Sequence, residues 1–236
     1  MIALDEATVR ARVAEIERWR HRIPVGHGVV TPGVEDTEHQ LGLLQIPRDL
    51  TGQRILDIGC SDGFYAFTCE DRGASDVVAI DDESSTLQVP NGLRVAKELR
   101  GSAVAYEARD VQELSPEHDG TFDTVLFINV LYHLPNPMLA LERIAAVTKP
   151  GGLLVLKTYF RTDVRVWVKG RCIGFDVDPR PKWWYFPGTE LGGDPTNWWA
   201  PNRRGLDGML GATGWTGIRQ VAREGDRLYY HARRAA

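Results

Sequence analysis

The chain has 236 residues, enough to bury a sizeable core, and its 43% hydrophobic and 25% charged residues are the balance of an ordinary globular protein. A formal net charge of −4 excludes a global attraction to nucleic acid or anionic membrane and leaves room only for local basic patches. Cys60, Cys69 and Cys172 form no C-x-x-C pair, which speaks against a disulfide framework and a zinc site and for a reducing cytoplasm; the sequence shows no secretory leader and no run as long as a membrane span.

Residues 5 to 22 read as a helix capped by Asp5, with Val9, Val13, Ile16 and Ile23 at helical spacing. Two readings stay open for its end: an amphipathic helix laid on the domain, or a lid in which Trp19 and His21 reach over a ligand. Ile23 to Gly33 is rich in Gly and Pro and reads as an ordered loop, with His27 either solvated or part of a pocket wall. Residues 37 to 50 give a second short helix ending before Pro47, and Thr51-Gly52 turns into the first strand.

The stretch Arg54 to Phe64 reads as a buried strand, a glycine turn and a helix start. Ile55, Leu56 and Ile58 suit a parallel strand covered on both faces. Gly59 and Gly63 bracket a turn, with Cys60 and Ser61 inside it, where backbone N–H groups can meet a ligand closely. The spacing is G-x-x-x-G, which lacks the signatures of a dinucleotide fold or a phosphate loop and so speaks against pyrophosphate. Taken alone, it is also compatible with an ordinary strand-to-helix turn.

A helix from Tyr65 to Asp71 stops at Gly73, and Val77 to Ile80 forms the second strand, running into Asp81-Asp82-Glu83. A carboxylate at that strand end can accept both hydroxyls of a ribose, with Asp81 the first choice and Asp82 the second; a solvated acidic turn is the alternative. Asn91 to Arg100 is a helix, and Ala103 to Glu107 a third strand leading to Arg109-Asp110-Val111. Phe122 to Ile128 is a central fourth strand that delivers Asn129-Val130-Leu131-Tyr132-His133-Leu134 to the edge where open α/β sheets bind ligands. His133 can take a proton near neutral pH or can simply wall a pocket beside Tyr132. Pro135 to Val147 gives the next helix, and Lys149-Pro150-Gly151-Gly152 turns into a strand from Leu153 to Thr158.

From Tyr159 to Pro201 the composition shifts to five of the seven tryptophans, with Trp167, Trp183, Trp184, Trp198 and Trp199 joined by Tyr185 and Phe186. This is a long loop whose aromatic density argues against disorder. It reads as a substrate cap in which aromatic faces pack on an acceptor and Asn197 and Asp194 fix hydroxyls; a structural mini-core or a dimer interface is the alternative. Asn202 then caps a helix to Thr213, and Gly217 to Arg223 pairs with Arg227 to Arg233 around Glu224-Gly225-Asp226 as a hairpin.

The pattern D-x-G-C-x-D-G-F from Asp57, the acid Asp81, Asp110, the segment Asn129 to His133 and the K-P-G-G turn resemble, in order, the motifs of class I S-adenosylmethionine-dependent methyltransferases. The resemblance covers roughly residues 50 to 160 plus the closing hairpin. It implies a Rossmann-like α/β fold: seven mostly parallel strands with a C-terminal antiparallel hairpin, N-terminal helices and the aromatic-rich cap. It implies one domain over 1–236, with a helical lid (1–50), a cofactor-binding core (51–158), the cap (159–201) and a closing helix and hairpin (202–236). Asp57 and the turn at Gly59, Cys60, Ser61 and Gly63 would face the methionine half of S-adenosyl-L-methionine. Asp81 and Asp82 would take the ribose, Asp110 and Val111 the adenine, and Asn129 and Tyr132 would wall the pocket.

A narrower resemblance, through Val29-Val30-Thr31-Pro32-Gly33, the D-G-F turn and Val130 to His133 with Pro137, is to wobble-uridine methoxy/carboxymethoxy tRNA methyltransferases and their relatives. Leu134 stands where those enzymes carry a basic residue, and the acidic chain offers phosphate-binding cations only at its ends and over Arg161 to Arg180. The expectation is therefore a cytoplasmic O-methyltransferase acting on a small polar acceptor, a carbohydrate or secondary metabolite, with no resident metal. His133 is the expected base, His27 the reserve, and Trp19, His21, Tyr65, Trp183, Trp184, Tyr185, Asn197 and Trp198 the acceptor site. A tRNA methyltransferase and a non-catalytic cofactor-binding subunit are the alternatives.

Overall fold

The computed structural model describes residues 5–82, 91–169 and 171–236, with the backbone alone at positions 91, 167, 171 and 172. Glu83 of the acidic turn and the side chains of Trp167 and Cys172 lie outside the described residues. The fold is α/β, with a seven-stranded, mostly parallel sheet and two small antiparallel hairpins, and the chain divides into two compact units, Met1–Glu113 and Leu114–Ala236. Among the described residues no helix is long and apolar enough to cross a membrane.

In the first unit, Asp5 caps helix α1 (Glu6–Ala14) by accepting the N–H of Thr8, and Val9 and Val13 face inward. The helix expected to reach residue 22 stops at Ala14. Trp19 folds back and donates its indole N–H to the Val13 carbonyl at 3.0 Å, a helix-end acceptor that also takes the Ile16 N–H at 3.3 Å. The chain then crosses itself: Thr31 N–H bonds the Ile23 carbonyl, and the Thr31 hydroxyl donates to the His21 carbonyl at 2.6 Å. Only glycine fits at Gly33, where a Cβ would lie 2.0 Å from the His21 carbonyl carbon.

Helix α2 (Thr37–Leu44) ends in a left-handed Gln45, earlier than expected. Strand β1 (Arg54–Ile58) is buried beyond its first residue and leads through the glycine turn to α3 (Phe64–Asp71). Strand β2 (Asp76–Asp81) runs parallel to β1, and after α4 (Asn91–Arg100) strand β3 (Ala105–Ala108) runs parallel to β2 on its other side.

In the second unit a short helix α5 (Pro116–Asp119) precedes β4 (Phe122–Ile128), and α6 (Pro137–Ala146) precedes β5 (Thr148–Tyr159). The Lys149 to Gly152 turn expected ahead of β5 lies inside it. Phe122 pairs with Thr148 and Thr124 with Leu153, so the intervening residues form a bulge. The insert, expected to be a loop, carries two hairpins: β6 (Val164–Val168) with β7 (Arg171–Phe175), and β8 (Trp183–Tyr185) with β9 (Trp199–Pro201). Helix α7 (Arg203–Ala212), capped by Asn202, leads to the antiparallel pair β10 (Trp215–Glu224) and β11 (Arg227–Arg234), and β11 pairs with β5.

Candidate functional site

The glycine turn is anchored on the end of β2. The N–H groups of Gly59 and Cys60 both bond the Ile80 carbonyl, at 2.8 and 3.2 Å, and the Ser61 N–H donates to Asp81 Oδ2 at 2.7 Å. Gly59, Ser61 and Gly63 all have positive φ. A Cβ on Gly63 would press into Phe67 and Leu93 at 2.9 and 3.0 Å, so the left-handed start of α3 requires glycine there.

Asp57 is the electrostatic centre of this turn. It is 1% exposed, and its Oδ2 has no hydrogen-bond partner. Burial pushes its carboxyl up to about 7, the Asp81 charge adds to this, and the Ala66 N–H opposes it. Asp81 is raised too, first by burial, while the N–H groups of Ser61 and Asp82 pull it down. Two such acids with an orphaned oxygen between β1 and β2 make a socket that a cation would complete.

Asp62, which the sequence marked only as part of a motif, is a clamp. Its buried Oδ2 accepts the backbone N–H groups of Arg20 and His21 at 2.5 and 3.0 Å. That bond pair holds Trp19 and His21 against the turn, both of them buried. The His21 ring lies 5.9 Å from Phe64 and 5.5 Å from Tyr65, which is itself buried. Trp19, His21 and Tyr65 are thus packed side chains at the turn rather than an open lid. His27 sits exposed in a tight turn closed by the Val25 N–H to the Val29 carbonyl.

Asp82 is exposed, and its backbone N–H donates to the Asp81 carboxylate. Asp110 accepts the N–H of Gln112 at 2.8 Å, capping the turn Val111–Glu113, in which Val111 is buried. The thiols of Cys60 and Cys69 are free and buried, and burial raises both far above the reactive range.

The second unit gathers the other candidates. Asn129 has φ 61 at the end of β4, and its Oδ1 is buried without a hydrogen-bond partner. The following turn, Leu131–His133, is fastened to the insert: the Trp198 N–H donates to the Tyr132 carbonyl and the Trp199 indole donates to the Leu134 carbonyl, at 2.9 and 3.0 Å. Tyr132, Tyr159, Leu191 and Ala200 form a small buried core with Phe186 and Trp199 against it. The guanidinium of Arg227 lies over the Tyr159 ring. Trp183 and Tyr185 pack on Trp199, and Lys182 lies over Trp184.

Asn197, expected to meet an acceptor, is buried, and its amide N–H donates to the Leu191 carbonyl at 2.7 Å. Asp194 accepts both the N–H and the hydroxyl of Thr196. Thr196 is the residue that sequence reasoning missed, because its contact with His133 spans 63 positions and leaves no local pattern.

Residues 56–156 match the family described as a methyltransferase domain. With the sheet order and the acidic glycine turn, that segment is a class I S-adenosylmethionine-dependent methyltransferase domain. The chain is 36% identical over 114 residues to a ubiquinone biosynthesis O-methyltransferase of Xanthomonas euvesicatoria pv. vesicatoria, covering 48% of this chain and 46% of that protein. It is 31% identical over 121 residues to a tRNA U34 carboxymethyltransferase of Campylobacter hominis, covering 51% and 41%. The match thus spans less than half the length of either relative. The N-terminal domain of EvdMO1, solved in the presence of SAH and D-fucose, shares the fold with a TM-score of 0.67 at 18% identity, over 98% of this chain and 97% of that one.

The residues present fit S-adenosylmethionine, the cofactor of this class. The orphaned Asp57 oxygen suits the cofactor's ammonium group, and Asp81, with Oδ2 on Ser61, suits a ribose hydroxyl.

Proposed function

We propose that the protein is a cytoplasmic O-methyltransferase that methylates a hydroxyl of a small polar acceptor, a carbohydrate or secondary metabolite being the leading class. The observation that carries this reading is the state of three cations of the insert, Arg161, Arg180 and Lys182. Arg180 pairs with Asp178 at 2.7 Å, and Lys182 pairs with Asp163 and Asp178 at 2.5 and 3.2 Å. The Arg161 guanidinium lies over Phe186. Arg180 holds Asp178 far below the usual carboxylate range, so the pair stays ionised and mutually neutralised. A tRNA surface needs cations available to phosphates, and these three are already engaged.

Two comparisons bear on this reading. One relative is named an O-methyltransferase, and one protein of like fold was crystallised with a deoxysugar.

When bound, S-adenosylmethionine supplies a methyl group already activated on its sulfonium. The chain's own task is then to align an acceptor oxygen, exclude water and take up one proton. Asp57 and Asp81 hold the cofactor side. His133 would take up the hydroxyl proton that the acceptor gives up as its oxygen receives the methyl group the cofactor supplies.

The test is transfer of labelled methyl to two pools, total tRNA and a mixture of sugars and small metabolites, with and without a chelator. Label in the small-molecule pool supports the proposal. Label confined to tRNA overturns it in favour of the tRNA reading, label in neither supports a non-catalytic subunit, and label lost to chelator would call for a metal.

A further inference from the structure

The insert holds the His133 ring through one residue, in a way that decides where its proton sits. Nδ1 lies 2.9 Å from the Thr196 carbonyl oxygen and 3.0 Å from the Thr196 hydroxyl oxygen. A carbonyl oxygen can only accept. The Thr196 hydroxyl proton is given to Asp194 Oδ1 at 2.7 Å, so the hydroxyl too meets Nδ1 with a lone pair. Both partners of Nδ1 are acceptors. The neutral imidazole must then carry its proton on Nδ1 and its lone pair on Nε2.

The arrangement is built rather than incidental. Asp194 Oδ1 also accepts the Thr196 N–H at 2.9 Å, and the Asp194 carbonyl accepts the Asn197 N–H at 3.1 Å, which closes the turn. The buried Asn197 amide ties that turn to Leu191, and Trp198 ties it to the Tyr132 carbonyl, one residue before His133.

We propose that Thr196 and Asp194 are positioning residues that hold His133 as its Nδ1–H tautomer and make Nε2 the atom that takes the acceptor's hydroxyl proton. The assignment of Nε2 rests on the reading of His133 as the base; the tautomer itself does not. Asp194 acts through Thr196. Without its carboxylate the hydroxyl is free to donate to Nδ1 in competition with the Thr196 carbonyl, which would admit the opposite tautomer and its lone pair on the wrong nitrogen. Asparagine keeps an accepting oxygen at Asp194 and preserves the chain of bonds.

The experiment is nitrogen NMR of the full chain labelled at histidine, with the His133 signal identified by its loss in His133→Gln. The Nδ1–H pattern is expected in the wild type, a mixture of tautomers in Asp194→Ala, and the Nδ1–H pattern again in Asp194→Asn. Turnover at saturating cofactor is expected to fall roughly ten-fold in Asp194→Ala and to recover in Asp194→Asn. A wild-type Nε2–H tautomer overturns the proposal, and so does an unchanged signal in folded Asp194→Ala. The wild-type spectrum decides even where Asp194→Ala does not fold. Full turnover by His133→Ala, with a wild-type Nδ1–H signal, would remove the base reading and the Nε2 assignment while leaving the tautomer and its two positioning residues in place.

Discussion

Asp81 accepts the Ser61 N–H at 2.7 Å, so the acid at the end of β2 holds the glycine turn after β1 in addition to the ribose-binding role proposed for it. Asp81→Ala removes both roles. The loss of one charge-assisted hydrogen bond, ~1.5–3 kcal/mol, corresponds to a fall of roughly 10- to 100-fold in affinity for the product cofactor by calorimetry. Turnover at saturating cofactor is expected to change less than affinity.

His133→Ala should behave in the opposite way, lowering turnover while leaving calorimetric affinity for the product cofactor near that of the wild type. Equal affinity losses in the two variants would show that both side chains belong to the cofactor pocket.

Asp57 makes the socket sensitive to pH. Burial and the Asp81 charge raise its carboxyl from an ordinary 3.8 to about 7 in the folded chain. The folded state therefore binds this proton more tightly than the unfolded one. The stability this contributes is fully present below the unfolded value and is lost as pH rises through the folded one. Relative to Asp57→Asn, the ligand-free wild type should lose stability in thermal melts between about pH 4 and about pH 7. Binding of the cationic cofactor should tighten over the same rise, and Asp57→Asn should flatten that slope. A parallel pH dependence in both proteins would place the titrating group elsewhere.

Gly33→Ala should open the N-terminal crossing. Its Cβ would sit 2.0 Å from the His21 carbonyl carbon and 2.2 Å from the oxygen, both rigid backbone atoms. A cost of ~3 kcal/mol in urea unfolding is expected, with faster amide exchange at Arg20 and His21 as their bonds to Asp62 loosen. Wild-type exchange at those two amides would mean that the crossing adjusts without disturbing the clamp.

In the insert, Gly192 and Gly193 are paired controls. Both have positive φ, but a Cβ at Gly192 would lie 1.9 Å from the Tyr159 hydroxyl while one at Gly193 meets open space. Gly193→Ala should cost only backbone strain, about 1 kcal/mol, and Gly192→Ala clearly more. Removing the hydroxyl with Tyr159→Phe should recover part of the Gly192→Ala loss, as a double-mutant cycle in thermal unfolding would report.

Much of the core was legible because it depends on local pattern. Strands β1 and β4 are rich in apolar residues and end in turn residues, and Asp81 could be placed by counting from Asp57. What escaped depends on partners far along the chain. Nothing between Glu15 and Arg22 announces that Arg20 and His21 give their N–H groups to Asp62, which is why the helix looked longer than it is. The K-P-G-G segment has turn composition, yet Thr148 pairs with Phe122 and draws it into β5. Strands β8 and β9 are three residues each, too short to show alternation. Asn197 reads in sequence as an amide that fixes an acceptor hydroxyl because its partner at Leu191 comes from the fold of the insert itself.

Strand β5 has one partner, β4, that precedes it, and another, β11, that follows only after the whole insert, α7 and β10. Pairing across so long an interval is slow, because a large loop must close before the contacts form. Until β11 arrives, one side of a long and largely buried strand offers its unpaired N–H and C=O groups to any extended segment nearby, including the same strand of another molecule. Recovery of this protein from denaturant should thus depend on concentration: dilute chains have time for β11 to dock, and crowded ones meet each other first.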